Sequence, residues 1–201
     1  MDDRIIEEIK RRALDDSVPI IEDDGLDFMV QFIENEHIKS ILEIGTAVGY
    51  SSICFCKDND DVTVVSIEKD EDRYRQAVEN IRAVGLEDRI TVINADAREY
   101  EAEGMFDLIF LDGPKAHNAE LMARYEKNLK VGGYFAIDDV YFHGYVDNPA
   151  PIRTRRMRAM VRKMTAFQNE LMNDSRYETT YIRTGDGILI AKKRSDSNEQ
   201  G

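Results

Sequence analysis

Ile41-Leu42-Glu43-Ile44-Gly45-Thr46-Ala47-Val48-Gly49-Tyr50-Ser51-Ser52 runs from an apolar strand through a two-glycine turn into a helix start. A strand over 38–44 that stops at Gly45, followed by a helix from about Tyr50, leaves backbone N–H groups of the turn and first helical turn free for a ligand. Gly45 and Gly49 stand four apart, and Ala47 occupies the place where a dinucleotide-binding turn has its second glycine. Glu43, just ahead of the turn, favours a cationic ligand over a pyrophosphate, which it would repel.

Beyond this turn the chain alternates short apolar runs with helical stretches. Apolar runs fall at 62–67, 90–93, 106–111 and 134–137, and helical patterns at 50–56, 70–84 and 116–128. Residues apolar on consecutive positions suit strands covered on both faces, the pattern of a parallel sheet. Alternation of this kind predicts a doubly wound, Rossmann-like α/β sheet. A longer helix over 153–172 comes next, then two strand-like runs, 179–183 and 187–192, split by Thr184-Gly185-Asp186; they predict a closing antiparallel hairpin. Ahead of the core, Ile5, Ile6, Ile9 and Leu14, then Leu26, Met29, Val30 and Ile33, repeat at helical spacing on either side of Pro19. The reading is a single domain over 1–201: a helical cap over 1–37, a core over 38–193 and a polar tail over 194–201.

Composition narrows the function. In 201 residues, 42% hydrophobic and 33% charged, forty acids oppose twenty-seven bases for a net charge of −13, so the surface as a whole repels nucleic acid. Two cysteines, Cys54 and Cys56, make no disulfide framework and no metal-ligand pattern; reduced core thiols are expected. An acidic start and the lack of a membrane-length apolar run predict a cytoplasmic protein that does not enter a membrane.

Several polar residues sit where strands end. Glu68 closes the second strand, placed to accept from a ribose diol. Asp96, in Asn94-Ala95-Asp96-Ala97 after the third, is placed to meet an adenine amino group. Asp112 ends the fourth strand and Asp138-Asp139 the fifth. Three carboxylates on adjoining strand tips repel one another unless a cation lies between them, and oxygen ligands suit Mg²⁺, with Ca²⁺ or Mn²⁺ as replacements. Three solvated acids are the plainer alternative. In the last helix Arg153, Arg155, Arg156, Arg158, Arg162 and Lys163 fall within eleven residues without an acid. Arg155, Arg158 and Arg162 share one face, while Met157, Met160, Val161 and Met164 can face the core. Such a face is either solvated or a phosphate-binding stripe.

With these residues in place, the chain resembles the metal-dependent S-adenosylmethionine O-methyltransferases of the catechol and caffeoyl-CoA type. The resemblance rests on Gly45-Thr46-Ala47, on Phe106-Asp107-Leu108-Ile109-Phe110-Leu111-Asp112, Lys115 and Asp138-Asp139, and on the closing Gly185-Asp186-Gly187-Ile188. It implies S-adenosylmethionine as methyl donor, held by Ile21, Glu43, Gly45, Thr46, Gly49, Ser51, Glu68, Asp96, Ala97 and Asp112. It implies a divalent metal on Asp112, Asp138 and Asp139, with Lys115 as base beside Asp112 in the catalytic step; where this chain has Asp139 the family usually has Asn. Within that class the Val18-Pro19-Ile20-Ile21 entry and the Arg-rich helix are most similar to bacterial tRNA 5-hydroxyuridine methyltransferases. That implies tRNA as partner, bound by Arg153, Arg155, Arg156, Arg158 and Arg162, and a homodimer. Alternatives are a catechol-like or CoA-linked phenol as acceptor, an NAD-type oxidoreductase, and a non-catalytic adenosyl-ligand sensor. Glu43 and the incomplete glycine pattern speak against the oxidoreductase; Lys115 and the three aspartates have no purpose in a sensor. His117 and His143 are read as ordinary polar residues.

Overall fold

The computed structural model describes residues 3–195. Its seven strands form one mixed sheet in the order β3-β2-β1-β4-β5-β7-β6, as the alternating pattern predicts, and the chain divides after Glu101 into two compact units.

In the first unit α1 (Asp3–Asp15) and α2 (Asp23–Asn35) precede β1 (Ser40–Ile44), α3 (Tyr50–Lys57), β2 (Thr63–Glu68), α4 (Glu71–Ala83) and β3 (Ile90–Asn94). β2 pairs in parallel with both β1 and β3. Strand β1 is buried along Ile41–Ile44, as a strand covered on both faces must be. In α1 the buried stripe is Ile6, Ile9 and Ala13, whereas Leu14, expected on that stripe, is 59% exposed. One residue of rotation, about 100° on a helix, carries it past the edge of the apolar face. Cys54 and Cys56 are free and buried, and burial pushes each thiol up to about 12, in keeping with core thiols.

In the second unit β4 (Phe106–Leu111) and β5 (Leu129–Ile137) pair in parallel, and β7 (Ile188–Lys193) runs antiparallel between β5 and β6 (Tyr177–Ile182). β5 starts earlier than its apolar run predicts. Gly132 and Gly133, ahead of that run, pass through a register shift opposite Phe106–Leu108, and a Cβ on Gly133 would lie 2.9 Å from Asp107 O. Bulges of this kind admit glycine without ending the strand. The expected helix over 116–128 is three pieces: a 3-10 turn over Lys115–His117, α5 (Asn118–Tyr125) and a second 3-10 turn over Glu126–Asn128. α6 (Arg155–Met172) starts two residues later than expected because Thr154 caps it, its hydroxyl accepting from Met157 N at 3.2 Å. Among the described residues no helix is long and apolar enough to cross a membrane.

Candidate active site

The glycine turn is built around a buried carboxylate. Glu43 is fully buried, and the hydroxyls of Ser51, Ser52 and Ser66 all donate to it. Thr46 Oγ1 lies 2.6 Å from Ser66 Oγ. A hydroxyl has one proton; because Ser66 gives its own to Glu43, Thr46 must donate to Ser66. Thr46, Ser66 and Glu43 thus form a directed chain, and a charge this deep is tolerated because each oxygen is hydrogen-bonded. Glu43 therefore lies beneath the turn, braced by three serines.

The turn needs left-handed backbone at Gly45, Ala47 and Gly49, with φ of 103°, 47° and 82°. At Gly49 the conformation coincides with a close approach: an added Cβ would sit 3.4 Å from Ala77 Cβ on α4. Asn80, one helical turn on, donates to Val48 O at 2.9 Å and ties α4 to the turn. Glu68 Oε2 accepts from Ala47 N and Oε1 from Asp70 N, each at 2.8 Å. Each oxygen keeps one accepting position, the number a vicinal diol requires.

Asp96 is otherwise engaged. Its oxygens receive Lys69 Nζ at 2.7 Å, Arg98 Nη2 at 2.6 Å, Arg98 Nε at 3.1 Å and Arg98 N at 3.0 Å. The Arg98 side chain, then Lys69, holds this carboxyl well below the ordinary range. An adenine amino group would have to displace one of those donors. Ile21 is buried and Ala97 half-buried in the same unit.

In the second unit one oxygen each of Asp112, Asp138 and Asp139 lies within 4.8 Å of the others. Asp138 and Asp139 are sequence neighbours, and in an extended strand their side chains would point to opposite faces. Asp139 has φ 56°, and this left-handed residue ends the alternation so that both carboxylates reach one place. Lys115 Nζ stands 2.8 Å from Asp112 Oδ1 and 3.0 Å from Asp139 Oδ2.

Charge decides what the cluster accepts. Burial raises Asp138, and the charge of Asp112 raises it further. Burial also raises Asp112, against the pull of Lys115. Burial alone would favour the neutral amine of Lys115, but Asp112, Asp139 and Asp138 together hold it above its usual range. With all three carboxylates ionised, one ammonium would leave two negative charges unmatched, and that ammonium stands between Asp112 and Asp139. All-oxygen donors with that residual charge fit a divalent hard cation.

Arg155, Arg156, Arg158 and Arg162 on α6, and Arg153 just ahead of its cap, are exposed. Arg158 Nε donates to Ile152 O at 2.9 Å. Among the described residues Arg153, Arg155, Arg156 and Arg162 pair with no carboxylate, whereas Arg11, Arg75, Arg98 and Arg176 each do. Arg158 and Arg162 border a hollow of about 830 Å³ with Val146, Pro149 and Asn169. Val161 and Met164 are buried as expected; Met157 and Met160 are only half-buried.

Sequence reasoning missed Ser52 and Ser66 under the turn and gave Asp186 no role. Ser66 carried a signal, as a hydroxyl deep inside the apolar run 62–67, where the other, Thr63, stands exposed at the strand's start. His117 pairs locally, its Nδ1 3.0 Å from Glu120 Oε2.

The sequence profile described as O-methyltransferase matches residues 2–194. A caffeoyl-CoA O-methyltransferase from Populus kitakamiensis is 28% identical over 189 residues, covering 88% of this chain and 78% of its own. A Staphylococcus aureus protein provisionally named a caffeoyl-CoA O-methyltransferase has a crystal structure with TM-score 0.89 and 33% identity, over 94% of this chain and 91% of that one. An SAH-bound methyltransferase from Podospora anserina shares the fold, with TM-score 0.85 at 23% identity over 97% and 89% of the two chains.

Proposed function

Because the chain belongs to the O-methyltransferase family, we propose that it moves the methyl group of S-adenosylmethionine onto a divalent-cation-assisted hydroxyl oxygen, 5-hydroxyuridine at the tRNA wobble position, giving 5-methoxyuridine. The observation that carries the acceptor is the row of arginines on α6 without carboxylate partners, in a chain of net charge −13. Guanidiniums left unpaired in so acidic a protein are available to phosphates, which they recognise bidentately.

The divalent cation supplies positive charge that favours ionisation of the hydroxyl, and the donor supplies a sulfonium methyl. Asp112, Asp138 and Asp139 would hold that cation. Glu68 receives the ribose diol, and the Gly45–Gly49 turn, kept in shape by Glu43, brings backbone N–H groups to the donor. In the transfer the oxygen lone pair forms the C–O bond, the C–S pair returns to sulfur, and the hydroxyl proton leaves. Lys115 takes that proton in its neutral form, which burial favours once the charge of the surrounding aspartates is balanced.

A second reading has a specific support in the caffeoyl-CoA names of the relatives: the acceptor is then a CoA-linked phenol, with an arginine on the CoA phosphates. Labelled S-adenosylmethionine, Mg²⁺ and either hydroxyuridine-containing tRNA or caffeoyl-CoA separate the two. The tRNA reading expects label in RNA, recovered as 5-methoxyuridine; label in caffeoyl-CoA and none in RNA overturns it.

A further inference from the structure

Asp139 belongs to a segment whose backbone is unusual well beyond the carboxylate cluster. Asp139, Phe142, His143 and Gly144 all have positive φ, at 56°, 47°, 55° and 77°. Phe142 is bulky, and such a residue adopts this conformation only where the surroundings impose it.

Those surroundings are the turn between β6 and β7, Thr184-Gly185-Asp186-Gly187. Gly187 O accepts from Val140 N at 3.0 Å, and Asp186 O from Tyr141 N at 2.9 Å. The Asp186 carboxylate, its side chain 9% exposed, receives the His143 amide between its two oxygens, at 2.8 and 2.7 Å. Gly187 leaves room for the ring of Tyr141, whose Cδ2 would lie 2.2 Å from an added Cβ. Tyr141 stacks on Tyr181 of β6 with ring centroids 6.0 Å apart. Tyr181 Oη donates to Gln168 Oε1 at 2.8 Å, and Gln168 Nε2 donates to Val140 O at 2.7 Å. Every residue from Val140 to His143 except Phe142 is thus gripped by β6, β7, their turn or α6.

The geometry points to Asp186 as a positioning residue for cation binding: by fixing the His143 amide, with Gly187 seating Tyr141, it holds the segment after β5 in the left-handed course that turns Asp139 toward Asp112 and Asp138. This rests on the divalent-cation reading above. Asp186 itself lies outside the carboxylate cluster and ligates nothing.

Binding of Mn²⁺, followed by its electron paramagnetic resonance signal, tests the inference without turnover. The wild-type chain is expected to bind Mn²⁺, and Asp112→Asn to abolish that binding, which locates the ion in the cluster. Asp186→Ala is expected to weaken binding at least tenfold, and Asp186→Asn, which keeps one accepting oxygen for the His143 amide, by a smaller factor. S-adenosylmethionine affinity should stay within twofold in both. Should Asp186→Ala fail to fold, Asp186→Asn alone decides, with threefold or greater weakening expected. Mn²⁺ affinities within twofold of wild type in the folded variants overturn the positioning role while leaving the cation reading intact. A wild-type chain that binds no Mn²⁺ overturns both.

Discussion

Asp138 places a carboxyl group, 5% exposed, among two other carboxylates, surroundings that disfavour its ionised form. Burial, then Asp112, pushes it from an ordinary 3.8 to about 8. A carboxyl raised in the folded state contributes stability that is complete at low pH and is lost as pH rises through that window. The melting temperature of the cation-free protein should therefore fall between about pH 4 and pH 8, and Asp138→Asn should flatten that fall, as differential scanning calorimetry would show. Added Mg²⁺ should raise the melting temperature more at pH 8 than at pH 6, because protons compete for the same oxygens. A cation-free melting temperature equally flat in both proteins would contradict this assignment of charge. Glu43 shows the opposite economy: equally deep, it is matched by three hydroxyl donors. Glu43→Gln trades an acceptor for an amide donor facing those hydroxyls and should cost about 1–3 kcal/mol in urea denaturation.

Among the elements, the turn between β1 and α3 was the most legible, since Gly45 and Gly49 flank a change from strand to helix periodicity and both adopt positive φ. Replacing Gly49 by Ala should lower stability by about 1 kcal/mol, because φ of 82° is unfavourable for any side chain, and should weaken S-adenosylmethionine binding in calorimetric titration. The start of β5 was less legible. Gly132-Gly133 carries the marks of a turn, and only the register shift against Phe106 explains why a strand runs through it. The helix expected over 116–128 is present but tightens to 3-10 turns at both ends: its apolar spacing is right, and periodicity does not separate 3-10 turns from α-helix at a helix end. The carboxylate cluster could be anticipated because Asp112, Asp138 and Asp139 close apolar runs. The left-handed turn at Asp139 that joins them could not, since it depends on contacts with Asp186 and Gly187, more than forty residues on. Local sequence names the aspartates; distant sequence aims them.

At the scale of the whole molecule, a net charge of −13 opposes RNA, while the six bases between Arg153 and Lys163 have no acid among them. A basic stripe on so acidic a chain should confer salt-dependent binding confined to one face, the logarithm of affinity falling linearly with the logarithm of salt concentration. Arg155→Glu with Arg158→Glu should lower tRNA affinity more than tenfold and make that slope shallower, leaving S-adenosylmethionine affinity unchanged; filter binding across a salt series reads both. Unaltered tRNA affinity would mean that the arginines are a solvated face. The sequence carried the stripe itself, through its run of bases without an acid, but not its lack of carboxylate partners, which only the fold reveals. The account as a whole stands on oxygen methylation assisted by a divalent ion at the aspartate cluster. Single-turnover transfer of labelled methyl to hydroxyuridine-containing tRNA, with Mg²⁺ and with excess chelator, tests it most directly. The predicted result is 5-methoxyuridine formed with Mg²⁺, at least a hundredfold less with chelator, and none from Asp112→Ala; equal product in chelator would contradict the account.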